Sequence, residues 1–275
     1  MMRLLGSRRA VPWRRWAALV PLLLAPLAAS ANEPPVPPGP GTTGVTVGLL
    51  GPGIDYRLPE LKGRLARDGE GELISRDLTD DDSRPFAASG SGTLAAVYLA
   101  TLAPRAWISV VKERTGDPQA FGHMMSFVTR TPARIVVWLD AAPDRPDWPI
   151  LAEAAKRFAD RLFIIPAAAL DVRSYAPLKS PNVLVVAAAD PAAASASGTQ
   201  AADVAVAVPW GSALPPAQNA ALIITALAAR LLDADGERTM AELKQLIAAA
   251  PPKGLASRDG FWHAPAAMTA FTKRN

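Results

Sequence analysis

The chain lacks cysteine altogether, and histidine is almost as scarce. Its 275 residues contain no Cys and only two His, His123 and His263. Without cysteine, neither disulfide bonds nor thiol chemistry can contribute to this protein. Neither histidine stands beside a Ser or Asp in a catalytic motif, so both are interpreted as ordinary packing or surface residues. A zinc site built from two such distant histidines and a carboxylate has no support in the sequence.

Acidic residues are missing from the first 31 residues, which instead carry five arginines. An apolar run over residues 17–29 follows, and Ala29-Ser30-Ala31 has the small residues of a cleavage site. This order predicts a secretory signal peptide over residues 1–31, cut before Asn32. The apolar run is short for a membrane span, which disfavours an N-terminal anchor. The Arg8-Arg9 pair leaves open whether export uses the general or the twin-arginine route.

Removing the predicted signal peptide changes the charge of the chain. The formal net charge is +4, but taking five of the 29 Lys and Arg away leaves 24 against 25 Asp and Glu. The remaining chain has no basic surplus, so nucleic acid is not an expected partner. The sequence thus predicts a bacterial periplasmic or secreted protein without a stable membrane span once the signal is removed.

A proline-rich segment separates the predicted signal peptide from the rest. Residues 34–43 read Pro-Pro-Val-Pro-Pro-Gly-Pro-Gly-Thr-Thr, a composition that favours polyproline II and excludes a packed helix. We expect a linker over residues 32–44, either a spacer or a disordered terminus, and one domain over residues 45–275.

Short apolar runs alternate with helical patterns along this domain. The runs are mostly continuous in Val, Ile and Leu, which is typical of parallel strands covered on both faces. The alternation predicts a three-layer α/β/α sandwich with a mainly parallel sheet. The expected strands are 45–50, 106–111, 134–139, 162–165, 183–188 and 204–208, and the expected helices are 93–102, 119–131, 148–159, 217–232 and 238–249. The helix at 217–232 is apolar on nearly every side and should be buried.

Four segments resemble, in order and spacing, the motifs of the subtilisin-like serine proteases (subtilases). They are Val47–Asp55, Gly90–Ala96, Ile165–Asp171 and Gly211–Ala217. The resemblance extends over about residues 45 to 270 and implies a subtilisin-like fold.

Each of these segments lacks the residue that the family's reaction needs. The resemblance places the triad aspartate at Gly51, the histidine at Ser91, the oxyanion-hole asparagine at Asp171 and the nucleophilic serine at Ala213. Acyl transfer of this type needs a nucleophile, a base and a carboxylate that orients the base. Ser91 stands between two glycines, but the nucleophile-elbow pattern is absent. The resemblance therefore implies a catalytically degenerate member that needs no cofactor.

Two further groups of residues are candidates for binding. Asp80, Asp81 and Asp82 could bind calcium, because hard cations favour clustered carboxylates, although a solvated acidic loop is the favoured interpretation. The segment Trp138-Leu139-Asp140 resembles one wall of the family's substrate groove, where Trp138 or Leu139 is expected to fill the groove.

Three functional hypotheses remain open. The leading one is an exported pseudoprotease that binds a protein or peptide partner. The second is a hydrolase with a displaced site, which predicts a Ser or Asp close to His123 or His263 in space. The third is a structural or small-molecule-binding subunit of an envelope complex, which predicts an apolar pocket at the strand ends.

Overall fold

Eight strands form one sheet in the order β2-β3-β1-β4-β5-β6-β7-β8, and every pairing is parallel. The computed structural model describes residues 33–115, 117, 119–140, 148–166, 180–188, 204–208, 213–248 and 262–263. The strands are β1 (Thr46–Gly51), β2 (Arg76–Asp77), β3 (Trp107–Lys112), β4 (Ala133–Trp138), β5 (Leu162–Pro166), β6 (Val183–Ala188), β7 (Val204–Val208) and β8 (Trp262–His263). The helices are α1 (Ser91–Leu102), α2 (Ala120–Val128), α3 (Trp148–Arg157), α4 (Pro216–Ala234) and α5 (Met240–Ala248), with a 3-10 turn at Pro59–Leu61.

The central strand β1 shows why the sheet has a helical layer on each face. All six of its residues are buried. Val47 and Leu49 belong to the apolar cluster that includes α1, α4 and α5, whereas Leu50 belongs to the cluster under α2 and α3. Successive side chains of a strand point to opposite faces, so a strand buried on both sides needs apolar residues throughout. The predicted three-layer α/β/α sandwich is confirmed.

The predicted strands and helices are all present, with ends shifted by a few residues. The helix predicted from Arg238 begins instead at Met240, because Thr239 caps it. The Thr239 backbone N–H donates to Oε2 of Glu242 at 2.9 Å, and the Glu242 N–H donates to Oγ1 of Thr239 at 3.2 Å. This reciprocal pair is a capping box. The two-residue strands β2 and β8 were not expected from the sequence.

Helix α4 lies in the core, as its apolar pattern predicts. From Asn219 to Ala229 every residue is buried. Its polar Thr225 donates its hydroxyl to the carbonyl of Ala221 at 2.7 Å, which satisfies that group inside the helix. Within the described ranges, no helix combines the length and the apolar character needed to cross a membrane.

The proline-rich segment lies against the domain instead of extending away from it. The Tyr56 hydroxyl donates to the carbonyl of Pro34 at 2.7 Å, and Trp107 Nε1 donates to the carbonyl of Thr43. Val36 packs on the larger apolar cluster. Polyproline II has no internal hydrogen bonds, so its carbonyl groups are available to donors from the domain. The described part of this segment, from Glu33 onward, is therefore no spacer.

Candidate functional site

The carboxyl ends of β1 and β4 meet the first turns of α1 and α4. In an open parallel sheet this edge is where ligands usually bind. Gly51 ends β1, Ser91 begins α1, and Ala213 precedes α4 by a short turn. Thus three of the four positions that the resemblance singled out belong to elements that converge here. The fourth, Asp171, lies outside the described residues.

Gly51 stands where a side chain would be strained and crowded. Its φ of +148° is one that only glycine adopts readily. A Cβ atom at this residue would lie 3.3 Å from Oδ2 of Asp140 and 3.3 Å from Cβ of Leu139. The Gln218 side chain, from the first turn of α4, donates its Nε2 to the carbonyl of Leu139 at 3.2 Å and to Oδ1 of Asp140 at 3.4 Å. A carboxylate is thus present beside Gly51, but β4 supplies it.

The two glycines around Ser91 have different structural reasons: Gly92 packs closely on another backbone segment, and Gly90 adopts a positive φ. A Cβ atom at Gly92 would lie 2.4 Å from the carbonyl oxygen of Pro52 and 2.5 Å from that of Gly53. Gly90 has a φ of +132°. The junction is completed by Thr93, whose Oγ1 accepts the backbone N–H of Asp55 at 2.9 Å. Gly90-Ser91-Gly92 therefore brings the start of α1 onto the loop after β1, a structural role that needs no nucleophile.

Asp55, in the loop after β1, is held by its neighbour Arg57. Its carboxylate accepts from Nε of Arg57 at 2.8 Å and from Nη2 at 2.7 Å. Hydrogen bonds from Arg57 lower the pKa of Asp55 below its ordinary value, against an opposing effect of burial. This carboxylate forms an ion pair with Arg57. Among the described residues, no hydrogen bond joins Asp55 to Ser91.

The expected groove wall is largely internal. Trp138 is 2% exposed and Leu139 1% exposed, so neither side chain offers surface to a ligand. The Trp138 ring centroid lies 3.9 Å from that of Phe121 and 5.8 Å from that of Trp148, in the cluster beneath α2 and α3. Trp138 belongs to the apolar cluster under α2 and α3, and Leu139 belongs to the cluster that includes α1, α4 and α5. Asp140 alone of the three is partly exposed.

The three consecutive aspartates do not converge on one site. Asp81 pairs with Arg76, and Asp82 pairs with Arg84 at 3.0 Å.

Asp80 instead approaches Glu33 and Asp77, with one carboxylate oxygen of each within 4.8 Å of the others. Lys112 places its ammonium 2.6 Å from Asp77 and 3.9 Å from Asp80, so a cation of the protein already serves this group. Burial, followed by the nearby carboxylate of Asp82, raises the pKa of Glu33.

His123 has an aspartate neighbour that the sequence analysis missed. Its Nδ1 lies 3.6 Å from Oδ2 of Asp117, and Ser126 follows three residues later on α2. All three line a cavity of about 610 Å³ that also contains Arg76, Arg114 and Arg130. The sequence feature that could have revealed this pair is the position of Asp117 just ahead of a helix. Its Oδ1 accepts the backbone N–H of Gln119 at 2.8 Å. His263 lies on β8 opposite Val208 of β7.

A second cavity lies between α2 and α3. It has a volume of about 610 Å³, and its lining includes Met125, Ile150 and Phe158, with Arg130 and Arg157 at the same groove. The small-molecule hypothesis predicted an apolar pocket at the strand ends. The apolar groove among the described residues is instead lined by residues of the two helices and the segments that follow them.

Solved structures similar to this chain are subtilisin-like enzymes. A lanthipeptide protease matches with a TM-score of 0.57 at 14% identity, covering 84% of this chain and 88% of its own. A cold-adapted subtilisin-like serine proteinase matches with a TM-score of 0.53 at 14% identity, covering 80% and 89%. The PatG macrocyclase in complex with peptide matches with a TM-score of 0.52 at 14% identity, covering 84% and 92%.

No protein-family model matches the chain, and no curated protein matches it by sequence. At such low identity the structural likeness shows the fold alone. In this chain the fold is a parallel sheet with helices on both faces. This chain has a subtilisin-like α/β fold.

Proposed function

We propose that the protein is an exported subtilisin-like pseudoprotease that acts by binding a protein or peptide. The observation that carries the proposal is the backbone at Gly51, where a φ of +148° and close contact with Asp140 and Leu139 disfavour any side chain. Ala213, exposed before α4, has no oxygen to attack a carbonyl. Both positions are those that the subtilase resemblance assigns to the triad.

The binding region of this proposal is the edge formed by the end of β1, Asp140, Gln218 and the turn at Ala213. Extended peptides can be held through main-chain hydrogen bonds, which require no triad. Asp140 and Gln218 are partly exposed there and offer polar groups to a ligand. One structural neighbour, the PatG macrocyclase, was solved in complex with peptide. That neighbour supports the edge as a peptide site without identifying the ligand.

Blocking this edge tests the proposal. Binding of a fluorescent library of extended peptides to the purified protein is measured for wild type and for Ala213→Trp, which places a bulky ring at an exposed residue of the edge. Lys62→Trp, at an exposed residue after the 3-10 turn, is the matched control. We expect Ala213→Trp to lose most of the binding and Lys62→Trp to keep it. Equal binding by both variants, or no binding by wild type, would refute a peptide site at this edge.

Export is the second part of the proposal and has its own test. The full chain is expressed in a bacterial host, and the N-terminus of the protein recovered from the periplasm or medium is sequenced. The signal-peptide pattern predicts that it begins at Asn32. Recovery only in the cytoplasm with the arginine-rich segment intact would contradict export.

The alternative function, a hydrolase with a displaced site, is favoured by one observation. It required a Ser or Asp close to a histidine, and Asp117 lies 3.6 Å from His123. Residues three apart on a helix share a face, and side chains tilt toward the helix N-terminus, so Ser126 leans toward His123. Asp117, just ahead of α2, together with His123 and Ser126 on α2, supplies a carboxylate, an imidazole and a hydroxyl, the kinds of group that nucleophilic catalysis uses. If this site acts, His123→Ala and Ser126→Ala each abolish hydrolysis, whereas Ser91→Ala leaves it unchanged.

A further inference from the structure

The cavity beside α2 receives guanidinium groups from three separate parts of the chain. Arg76 belongs to β2, Arg114 follows β3, and Arg130 follows α2. We call this cavity the arginine pocket. Its volume of about 610 Å³ is in the range that holds small organic ligands. Three cations from different elements at one cavity need a reason, because they repel one another unless anions compensate them.

The acidic groups of the arginine pocket are already committed to other partners. Asp81 pairs with Arg76. Asp117 accepts the Gln119 N–H with one oxygen and faces His123 with the other. The pocket therefore has three arginines against two aspartates, and neither aspartate is paired with Arg114 or Arg130 in the described residues.

Arg114 and Arg130 have donor groups to spare. Arg130 donates its Nε to the Ser126 carbonyl at 2.8 Å, which fixes the side chain and leaves its terminal nitrogens without a described partner. Arg114 is exposed and makes no ion pair among the described residues. The planar fork of a guanidinium matches a carboxylate or phosphate through two parallel hydrogen bonds. This pair of side chains is suited to an oxyanion.

The arginine pocket also has apolar surface. Leu78 and Phe127 line it, and both are partly buried against the apolar cluster under α2 and α3. A simple inorganic ion would leave this surface in water. A ligand with an anionic head and an apolar or aromatic body would cover it and gain from its burial.

We propose that the arginine pocket binds a small organic oxyanion, a carboxylate or phosphate on an apolar body, held by Arg114 and Arg130 and packed on Leu78 and Phe127. The site is separate from the peptide edge of the proposed function, and it requires no reaction at Ser126. Nucleic acid does not fit, because a single pocket offers no path for a phosphate backbone, and the chain has no basic surplus once the predicted signal peptide is removed.

Calorimetric titration of the purified full chain tests the proposal. The probes are phenyl phosphate, phenylacetate, inorganic phosphate and the neutral benzyl alcohol. We expect saturable binding of at least one aromatic anion, weaker binding of inorganic phosphate and none of the alcohol. The comparison of phenyl phosphate with phenylacetate decides which oxyanion the pocket takes. No saturable binding of either aromatic anion, or equal binding of the alcohol, would overturn the proposal.

Variants locate the binding. Arg114→Ala and Arg130→Ala should each weaken binding of the aromatic anion by about tenfold or more, because each removes a charge-assisted pair. Arg157→Ala is the matched control, since Arg157 lines the neighbouring groove, which shares Ser126 and Arg130 with the arginine pocket, but does not line the pocket itself. An equal loss in Arg157→Ala, or no loss in Arg114→Ala, would place the ligand elsewhere. Arg114 is exposed, so its variant should fold, and the thermal transition verifies this.

Ser126→Ala separates this proposal from the displaced hydrolase. Binding of the aromatic anion should survive the loss of the hydroxyl, whereas hydrolysis at Ser126 could not. The Ala213→Trp variant, which should lose peptide binding, should likewise keep its binding of the aromatic anion. If anion binding disappears in Ala213→Trp as well, the two sites are not independent and the proposal fails.

Discussion

The junction of β1 with α1 and the cavity beside α2 differ in what they place at the surface. The junction consists of glycines in close backbone contact, with Gly92 against the carbonyls of Pro52 and Gly53. The cavity has an imidazole, carboxylates and guanidinium groups. The described positions that the family resemblance singles out thus carry few reactive side chains. The cavity, which the resemblance does not single out, is lined by several charged and polar side chains. Resemblance locates the fold, but only the side chains present can locate the chemistry.

The largest loss of stability is expected for a substitution of Trp138, which packs beneath α2, the helix beside the cavity. Trp138→Ala removes a ring that is 2% exposed and packs on Phe121 and Trp148, and such truncations cost about 4 kcal/mol. The free energy of unfolding from urea titration measures it. Ile150→Ala, at a residue that is 41% exposed on α3, is the control and should cost far less. Equal losses would mean that Trp138 is not a core residue.

A smaller loss is expected at the glycine junction. Gly92→Ala brings a methyl group within 2.5 Å of two backbone carbonyls, which cannot move as a flexible side chain would. We expect about 3 kcal/mol of destabilisation from this overpacking. Gly69→Ala, where no atom lies within 4 Å of the added Cβ, should stay close to wild type in the same urea titration. A neutral Gly92→Ala would show that Gly90-Ser91-Gly92 is not a packing junction.

Placing an aspartate at position 51 should be unfavourable. Gly51→Asp forces a side chain onto a φ of +148° and brings a second carboxylate beside Asp140. Backbone strain of this kind costs about 2 kcal/mol. Adding Asp140→Asn to the Gly51→Asp variant should recover the part of the stability that charge repulsion removes, as measured by thermal unfolding. Full stability of Gly51→Asp would show that the position still accepts a triad residue.

The smallest effect concerns the pH dependence of stability at Asp55. Its folded-state pKa is lowered, mainly by hydrogen bonds from Arg57, so its contribution is present above its ordinary pKa of 3.8. That contribution is lost as the pH falls through the lower folded-state value. Unfolding free energy measured from neutral pH into this acidic range should fall less steeply for Asp55→Asn than for wild type. Identical slopes would mean that the ion pair does not couple to folding.

The sequence predicts the sheet well and the surfaces poorly, for physical reasons. Continuous apolar strands such as Leu162–Pro166 must be buried on both faces, which makes them recognisable. Their pattern does not tell which face each residue takes, so the packing of Trp138 under α2 and α3 could not be predicted. Asp117 and His123 meet across a loop and a helix start, where no fixed spacing applies.

The partners of the acidic run could not be predicted, because adjacent side chains point in different directions. Asp81 adopts a φ of +61° and turns to Arg76, whereas Asp82 turns to Arg84. Glu33, which approaches Asp77 and Asp80, comes from the far end of the proline-rich segment. A sequence pattern shows which residues are neighbours along the chain, and the ion pairs here depend on neighbours in space.

Turnover of a fluorogenic peptide by the purified wild-type protein is the most direct test of the claim that the edge at Gly51, Ser91 and Ala213 performs no peptidase chemistry. The measurement is made with and without a serine-directed reagent, and Ser126→Ala is assayed beside wild type. The proposed function predicts turnover no greater than the buffer blank. Turnover that survives purification, responds to the reagent and persists in Ser126→Ala would contradict it, whereas turnover lost in Ser126→Ala would assign hydrolysis to the site on α2.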